Sequence, residues 1–370
     1  MNGSNLDRQA KILIISPESW NGHFVSKHHY AVTLVSQGHK VYFLSPPDNS
    51  LTEIQINPTK YQNLWEISSP QVAIALRFYP KILRNFIERR WLEKLEEKIG
   101  QQFTAVWLFE NSRFYDMDFA KDRLKIYHQV DLNQKFHVKE AVSSANICFC
   151  TSDYILDEIK PYNRRAYKVH HGVNLFAKAT SLIEEQKNHF KHQKINVTYV
   201  GNLDMQYLDV ALLSILVKSF PDVQFHFVGG YQTDTPLYKL CHNANNIFWW
   251  GKVESELIPT ILSSSDAVLV CYQEKYYVDQ SSPHKIMEYL ASGKVIISTY
   301  TDEYKDKQNL LEMANSSNDY LKLFKKVVEN LDFYNSEEKQ QERISFAKNN
   351  SYEKQLEKIT KYLTQYNFKI

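Results

Sequence analysis

Glycine is scarce in this sequence, which has 10 in 370 residues, where average usage is roughly 7%. Each glycine is therefore expected to have a specific structural use, at a turn or at a close approach of the backbone. None of the glycines belongs to a G-x-G-x-x-G motif. This absence argues against an oxidoreductase that binds a dinucleotide.

The sequence also lacks paired cysteines, a strong net charge and long apolar runs. Its four cysteines lie in or beside apolar segments without a C-x-x-C pattern, which predicts buried thiols rather than disulfides or a metal site. The net charge of +2 does not indicate the strongly positive surface that is typical of proteins that bind nucleic acid. No uncharged apolar run reaches the ~18 residues of a membrane span, and Met1–Ala10 is too polar for a signal peptide. We therefore predict a soluble, cytoplasmic protein.

What the sequence does contain is an alternation of apolar strands and helical segments, which occurs twice. Continuous apolar runs such as 11–16 and 196–200 are typical of buried parallel strands. With 43% hydrophobic residues, the chain can form two domains with separate cores. The predicted fold class is α/β, with two doubly wound domains. In such folds, ligands bind beyond the carboxyl ends of the strands.

The stretch from Gln280 to Gly293 predicts a loop followed by a helix. Ser282 is a suitable N-cap, Pro283 suits the first helical position, and Gly293 can end the helix in a left-handed conformation. Helical spacing separates an apolar face from a polar face. The apolar face contains Ile286, Met287, Leu290 and Ala291, and the polar face contains Ser281, Lys285, Glu288 and Tyr289.

The polar face of this helix has two interpretations. Lys285 in the first turn is unfavourable beside the positive end of the helix dipole, unless an anion such as a diphosphate also lies there. Glu288, one turn further on, can accept hydrogen bonds from a sugar diol. The face is therefore either a nucleotide-sugar site or a solvated surface with an i,i+3 ion pair.

The segment 283–296 resembles the P-x-K-x-x-E-Y-x-A-x-G-x-P-V-V signature of the group 1, family-4-like glycosyltransferases with the GT-B fold. The matching residues are Pro283, Lys285, Glu288, Tyr289, Ala291 and Gly293. The resemblance covers nearly the whole chain and is strongest between Tyr199 and Ser298. It implies two Rossmann-like domains that face a cleft, at residues 1–176 and 177–348. The remaining segment, 349–370, would be a helix that crosses back to the first domain.

The resemblance also implies roles for individual residues. Glu288 would bind the donor ribose, and Lys285 would lie near the diphosphate. The rest of the expected donor-binding set is Gly22, Gly201, Asn202, Val253, Ser281, Ser282 and His284. Two departures from the family pattern stand out: Gln280 replaces a frequent glutamate, and no arginine or lysine closely follows Gly201.

Candidate catalytic groups follow the predicted strands of the first domain. Glu110 and Asp131 are both candidate bases for the acceptor, and the sequence does not choose between them. The resemblance implies that His128 contacts the donor sugar, while a structural histidine is the alternative. Asp116 and Asp118 form a D-x-D that we interpret as a capping cluster, so no metal or other cofactor is expected. The helix dipole and Lys285 would then stabilise the leaving group.

These features predict a metal-independent glycosyltransferase that uses a UDP- or GDP-linked sugar and a glycan or lipid-linked acceptor. Retention of stereochemistry is implied by the resemblance alone. Two alternatives stay open: an isomerase similar to nucleotide-sugar 2-epimerases, and a non-catalytic relative that acts as a scaffold. Product analysis without an acceptor distinguishes the isomerase, and donor turnover distinguishes the scaffold.

The segment Pro80–Lys98 predicts a basic amphipathic helix. Its apolar residues alternate with Lys81, Arg84, Arg89 and Arg90. A helix packed on its domain explains this pattern, and so does a peripheral contact with an anionic membrane.

Overall fold

The computed structural model describes residues 9–22, 24–132, 136–175, 181–191, 193–278, 280 and 282–370. The chain divides into two compact units. The first consists of Met1–His171 and Tyr352–Ile370, and the second of Gly172–Ser351. The predicted domain boundaries lie a few residues from these limits.

The first unit is built on an eight-stranded sheet, in the order β3-β4-β2-β1-β5-β6-β7-β8. Its strands are β1 Lys11–Ile15, β2 Lys40–Leu44, β3 Gln55–Pro58, β4 Leu64–Ser68, β5 Ala105–Leu108, β6 Leu124–Gln129, β7 Ile147–Cys150 and β8 Ala166–Lys168. Its early helices are α1 Ser26–Ser36, α2 Lys81–Ile99, α3 Val138–Ser144 and α4 Asp153–Ile159. The strands pair in parallel except for β3, which pairs antiparallel with β4. The strand β3 is missing from the sequence prediction because it is short and exposed at the edge. The strand β4 is missing as well.

The second unit contains a six-stranded parallel sheet, in the order β11-β10-β9-β12-β13-β14. Its strands are β9 Ile195–Val200, β10 Val223–Val228, β11 Ile247–Gly251, β12 Ala267–Val270, β13 Val295–Thr299 and β14 Glu312–Ala314. Its helices are α5 Glu184–Lys187, α6 Val210–Ser219, α7 Pro236–Cys241, α8 Ile258–Ser263, α9 Lys285–Ser292, α10 Ser317–Val328, α11 Leu331–Tyr334 and α12 Glu337–Lys348. The predicted fold class of two Rossmann-like domains is confirmed.

The last helix, α13 Tyr352–Gln365, belongs to the first unit. Its buried residues Tyr352, Leu356, Ile359 and Leu363 recur at helical spacing and share a core with α1 and β1. This stripe confirms that the C-terminal helix returns to the first domain. The apolar side chains repeat every three to four residues, so only packing against another element removes them from water.

The cores of both units consist of strand residues covered by helices on either face. The four cysteines are buried and unlinked, as predicted. None of the described helices combines the length and the hydrophobicity that crossing a bilayer requires.

Both sheets have a point where the strand order reverses direction, and these points locate the candidate site. In the first sheet the reversal lies between β1 and β5, and in the second it lies between β9 and β12. Open parallel sheets bind ligands beyond the carboxyl ends of the strands at such a point. The segments after β1 and β5, and those after β9 and β12, are therefore the segments of interest in the two units.

Candidate active site

The helix α9 begins later than the sequence predicts. The predicted cap Ser282 and the first-turn Pro283 both precede it, because His284 takes the N-cap position with helical backbone angles (φ −52°, ψ −40°) and makes no side-chain cap bond. Gly293 ends the helix at φ +74°, as predicted. The local preferences of serine and proline are weak compared with the packing of Ile286, Met287 and Leu290, which sets where this helix lies.

The predicted faces of α9 are correct except at Tyr289. Ile286, Met287 and Leu290 are buried, and Lys285 and Glu288 are partly exposed. Tyr289 was assigned to the polar face but is fully buried, and its hydroxyl accepts a hydrogen bond from the Val200 amide at 2.9 Å. The tyrosine therefore ties α9 to the end of β9, because its ring lies in the core while its hydroxyl pairs with the backbone.

Lys285 lies against the first residue beyond β9. Its ammonium nitrogen donates to the Tyr199 hydroxyl at 2.9 Å and lies 4.0 Å from the centre of that ring. A Cβ atom on Gly201 would lie 2.6 Å from the same nitrogen. Gly201 is therefore the residue type that leaves room for the ammonium group at this edge of the sheet.

Gly201 is in turn packed against Gly229, which follows β10. The Gly201 amide donates to the Val228 carbonyl at 2.8 Å, and a Cβ atom on Gly229 would lie 1.9 Å from the Gly201 carbonyl oxygen. Both glycines have positive φ, +147° for Gly201 and +140° for Gly229. Two of the chain's scarce glycines thus serve one close approach, at the carboxyl edge where the phosphate groups of a nucleotide are expected.

Burial disfavours the charged forms of Lys285 and Glu288, whereas each charge stabilises the other. Burial lowers the pKa of Lys285 to about 7, while Glu288 and Cys271 act to raise it. Burial also raises the pKa of Glu288 to about 7, and Lys285 acts to lower it. A bound diphosphate would favour the charged lysine, and a ribose diol would favour the charged glutamate. Perturbed groups of this kind concentrate at binding and catalytic sites.

The other predicted donor-binding residues occupy several places in the second unit. Asn202 is exposed and accepts a hydrogen bond from the Asp204 amide at 2.9 Å. Val253 packs against the core that contains Ile286 and Met287. His284 and Ser282 are partly exposed just before α9. Ser281 lies outside the described residues.

Two tyrosines beside Lys285 are missing from the sequence-based site. Tyr199 is fully buried on β9, and the ring centre of Tyr272 lies 5.4 Å from the lysine ammonium. Both are polar aromatic residues at or just beyond the carboxyl end of a central strand. That position is the feature of the sequence that indicates a place in the site. The two aromatic rings make cation–π contacts with the Lys285 ammonium group.

In the first unit, Gly22 lies in a loop that is held by the side chains of Ser45, just after β2, and of Glu66 in β4. Ser45 accepts from the Trp20 amide at 3.0 Å and donates to Glu66 at 2.7 Å, while Asn21 donates to the other Glu66 oxygen at 3.2 Å. A Cβ atom on Gly22 would lie 3.1 Å from the Ser19 carbonyl oxygen. The glycine thus suits a tight turn of its own loop, and its contact with a donor stays a prediction.

Lys27 is a buried cation that the sequence analysis did not identify. Its side chain is 3% exposed, and its ammonium lies 2.8 Å from a carboxylate oxygen of Glu18. The next residue, His28, is also buried and bonds the Ser19 carbonyl at 3.0 Å and the Val25 amide at 3.2 Å. His28 is therefore a structural histidine of this loop.

The two candidate bases differ in their surroundings. Glu110 forms an ion pair with Arg113 at 3.9 Å and accepts from the Ser112 amide at 2.9 Å. Asp131 lies just beyond β6. The carboxylate of Glu110 is therefore already engaged with the protein, whereas burial raises the pKa of Asp131 and the charge of Lys27 acts to lower it.

Arg113 joins three strand ends in the first unit and is also absent from the sequence-based site. Its guanidinium donates to the carbonyl oxygens of Ser16 at 2.7 Å and of Ser45 at 3.0 Å. These carbonyls follow β1 and β2, and Glu110 follows β5. The arginine thus fixes the carboxyl edge at the reversal of strand order.

His128 is enclosed by aromatic rings. It is fully buried, with ring-centre distances of 5.0 Å to Phe109, 5.5 Å to Tyr30 and 6.0 Å to Trp107. Neither ring nitrogen has a hydrogen-bond partner within the described part of the chain. Burial, together with the charges of His171 and Lys27, lowers its pKa to about 3, so the imidazole is neutral near pH 7. Its predicted sugar contact stays a prediction.

The D-x-D motif is a capping cluster, as predicted. The Asp116 side chain accepts from the Asp118 amide at 3.2 Å at the start of the short turn Met117–Ala120. Asp116 also forms an ion pair with Lys81 at 2.8 Å. Over the described ranges, no three histidine, cysteine or acidic side chains are placed to hold a metal ion.

Comparisons with known proteins give one family match and several structural likenesses. Residues 194–330 match the family model described as glycosyl transferases group 1. Trehalose-6-phosphate synthase OtsA superposes with a TM-score of 0.72 at 9% identity, over 96% of this chain and 99% of that one. HepE of Anabaena, solved with UDP-glucose, gives 0.69 at 12% identity, over 96% and 99%. WaaG, a glycosyltransferase of lipopolysaccharide biosynthesis, gives 0.62 at 13% identity, over 94% and 98%.

No curated protein sequence is significantly similar to the chain. The two parallel-sheet units and their structural likenesses define a protein with the GT-B fold. The match of residues 194–330 makes the second unit similar to the glycosyl transferases of group 1.

Proposed function

We propose that the protein transfers a hexosyl group from a UDP- or GDP-linked sugar to a glycan or a lipid-linked glycan. The observation that supports this most strongly is the position of Lys285 and Glu288. One helix carries both residues, and the lysine lies against Gly201 at the reversal of strand order. A cation for the diphosphate and a carboxylate for the ribose are the two contacts that a nucleoside diphosphate requires.

In the proposed reaction, the bond between the anomeric carbon and the diphosphate oxygen breaks while the acceptor oxygen bonds to that carbon. The diphosphate leaves with the bonding electrons, and Lys285 with the amides at the start of α9 stabilises its charge. The acceptor hydroxyl loses its proton, for which we assign Asp131 rather than Glu110. The reason is that Glu110 is paired with Arg113, whereas burial raises the pKa of Asp131 and so makes it a stronger base. Retention of stereochemistry is part of the proposal, so the acceptor oxygen bonds to the same face of the anomeric carbon that the diphosphate leaves.

The test is release of nucleoside diphosphate from UDP-glucose, UDP-N-acetylglucosamine and GDP-mannose, with water as the acceptor and EDTA present. We expect turnover of at least one donor to survive EDTA, because Lys285 takes the place of a metal ion at the leaving group. The variant Lys285→Met is the matched inactive control, since it keeps the length of the side chain without its charge.

Each other outcome contradicts a stated part of the proposal. Strict dependence on Mn²⁺ or Mg²⁺ would exclude metal independence. A changed sugar without release of nucleoside diphosphate would identify an isomerase. Absence of turnover by a folded protein that binds these donors would identify a scaffold.

Replacement of His128 by Phe tests the predicted sugar contact. Phe preserves the volume, and no hydrogen bond from His128 to a described residue is lost, so the melting temperature should stay within a few degrees. If His128 donates to the sugar during turnover, the rate should fall about tenfold while the affinity for UDP or GDP is unchanged. An unchanged rate would show that the histidine is only part of the core.

A further inference from the structure

Six large apolar side chains close together in sequence are exposed on the first unit. They are Ile74, Phe78, Tyr79, Ile82, Leu83 and Phe86, here called the apolar patch. Ile74 is 84% exposed, Phe78 is 74% exposed and Ile82 is 87% exposed. Single exposed apolar residues are ordinary, but a concentration of this kind marks a surface that contacts protein or lipid.

The first turns of α2 have the reverse of the usual orientation, in which apolar side chains are buried and polar ones are exposed. Ile82, Leu83 and Phe86 face solvent, while Arg84, Asn85 and Glu88 are buried. A rotation of these turns about the helix axis would bury the apolar side chains instead. Since burial of apolar area stabilises a fold and burial of charge opposes it, specific contacts must hold this orientation.

Those contacts are formed with the segment just before the short turn Met117–Ala120. Arg84 donates to the Tyr115 hydroxyl, and its guanidinium lies 4.1 Å from the centre of that ring. Arg84 and Asn85 both reach the Asp116 carboxylate, at 3.5 Å and 3.4 Å. These contacts hold the polar side chains inwards, although Arg84 Nε and Asn85 Oδ1 have no hydrogen-bond partner among the described residues. The apolar side chains are directed outwards as a consequence.

The charged residues within the segment that carries the apolar patch are all cationic. Residues 67–87 contain Arg77, Lys81 and Arg84 but no aspartate or glutamate. Arg77 and Lys81 are exposed, and Arg90 follows on the same helix with its side chain 69% exposed. Nearby acids partly offset this charge, because Lys81 pairs with Asp116 and Arg90 pairs with Glu93. The exposed surface of the segment is nevertheless apolar and cationic.

We propose that the apolar patch inserts into the interfacial region of an anionic lipid bilayer. Apolar side chains bordered by arginine and lysine match both properties of such a surface, an apolar layer and an anionic headgroup layer. A protein partner would have to be acidic and apolar at once. The inference is independent of the proposed reaction, because it concerns a different surface and its test needs neither donor nor acceptor.

The experiment is flotation of the full chain with vesicles of phosphatidylcholine, with and without phosphatidylglycerol. The wild type should float with the anionic vesicles. The double variant Ile82→Ser and Phe86→Ser should lower the partition coefficient at least tenfold. A matched control, Leu240→Ser and Phe333→Ser, removes two exposed apolar side chains of the second unit and should float like the wild type.

A variant that removes one positive charge separates the electrostatic contribution to vesicle binding from the apolar contribution. Arg77→Gln should weaken flotation about fivefold with anionic vesicles and leave any binding to phosphatidylcholine unchanged. Absence of wild-type flotation, or equal loss in the control variant, would overturn the proposal. So would a dimer in light scattering that Ile82→Ser and Phe86→Ser abolishes, because the patch would then be covered by a second copy of the chain.

Discussion

The variant Glu288→Gln should bind a nucleoside diphosphate roughly ten- to a hundredfold more weakly than the wild type. A carboxylate that accepts two ribose hydroxyls forms charge-assisted bonds of about 1.5–3 kcal/mol each, and an amide cannot accept both. Calorimetry with UDP and GDP measures this loss. The fold should be unaffected, because Glu288 is partly exposed and lies opposite the buried residues Ile286 and Leu290.

The same substitution should change how affinity depends on pH. Burial raises the pKa of Glu288 to about 7, so the wild type should lose affinity as the pH falls below that value and the carboxylate gains a proton. Burial lowers the pKa of Lys285 to about 7, so affinity should also fall at higher pH as the ammonium is lost. The wild-type profile is therefore bell-shaped, and Glu288→Gln should lack its acidic limb.

The control for this prediction is Glu329→Gln, which removes an exposed glutamate at the end of α10. Its affinity and pH profile should match those of the wild type. The free nucleobase should bind both variants equally because it lacks the diol. Wild-type affinity in a folded Glu288→Gln protein would show that Glu288 is a surface charge and that the proposed ribose contact is wrong.

Gly229→Ala should strongly destabilise the second unit. The new Cβ atom would lie 1.9 Å from the Gly201 carbonyl oxygen, and φ at this residue is +140°. The Gly201 carbonyl belongs to the backbone, and the position of a Cβ atom is fixed by its own backbone. No side-chain rotation therefore relieves the overlap. We expect a loss of roughly 3 kcal/mol or more, which corresponds to a fall in melting temperature of about 10 °C for a unit of this size.

Gly230→Ala is the matched control for this substitution. It adds the same methyl group one residue later, where no atom lies within 4 Å and φ is outside the left-handed region. Its melting temperature should change by no more than about 2 °C. Affinity for UDP or GDP should fall in Gly229→Ala alone, because a displaced Gly201 no longer fits against Lys285. Equal melting temperatures in the two variants would contradict the close approach inferred for Gly201 and Gly229.

The sequence by itself determined the alternation of strands and helices, the fold class, the return of the last helix and the polar positions of Lys285 and Glu288 on α9. These features depend on local patterns. A continuous apolar run must be buried on both faces, and a helical stripe such as 352–363 must pack against another element. Gly293 also ends its helix as predicted, because a left-handed residue favours glycine there.

Such local patterns do not identify short or exposed elements. The strands β3 and β14 have only four and three residues, and their hydrogen-bonding partners are supplied by β4 and β13. The start of α9 was also misplaced, because the packing of its buried face outweighs the capping preference of Ser282.

The tertiary structure alone decided which side chains are enclosed. Arg84 is buried because Tyr115 and Asp116, about thirty residues further along the chain, provide its partners. His128 is enclosed because rings from α1, β7 and the end of β5 surround it. Lys285 lies against Gly201, which precedes it by more than eighty residues. Periodicity shows which face of an element a residue occupies, but only contacts between distant segments decide what that face meets, and those contacts set burial, pKa and the composition of the site.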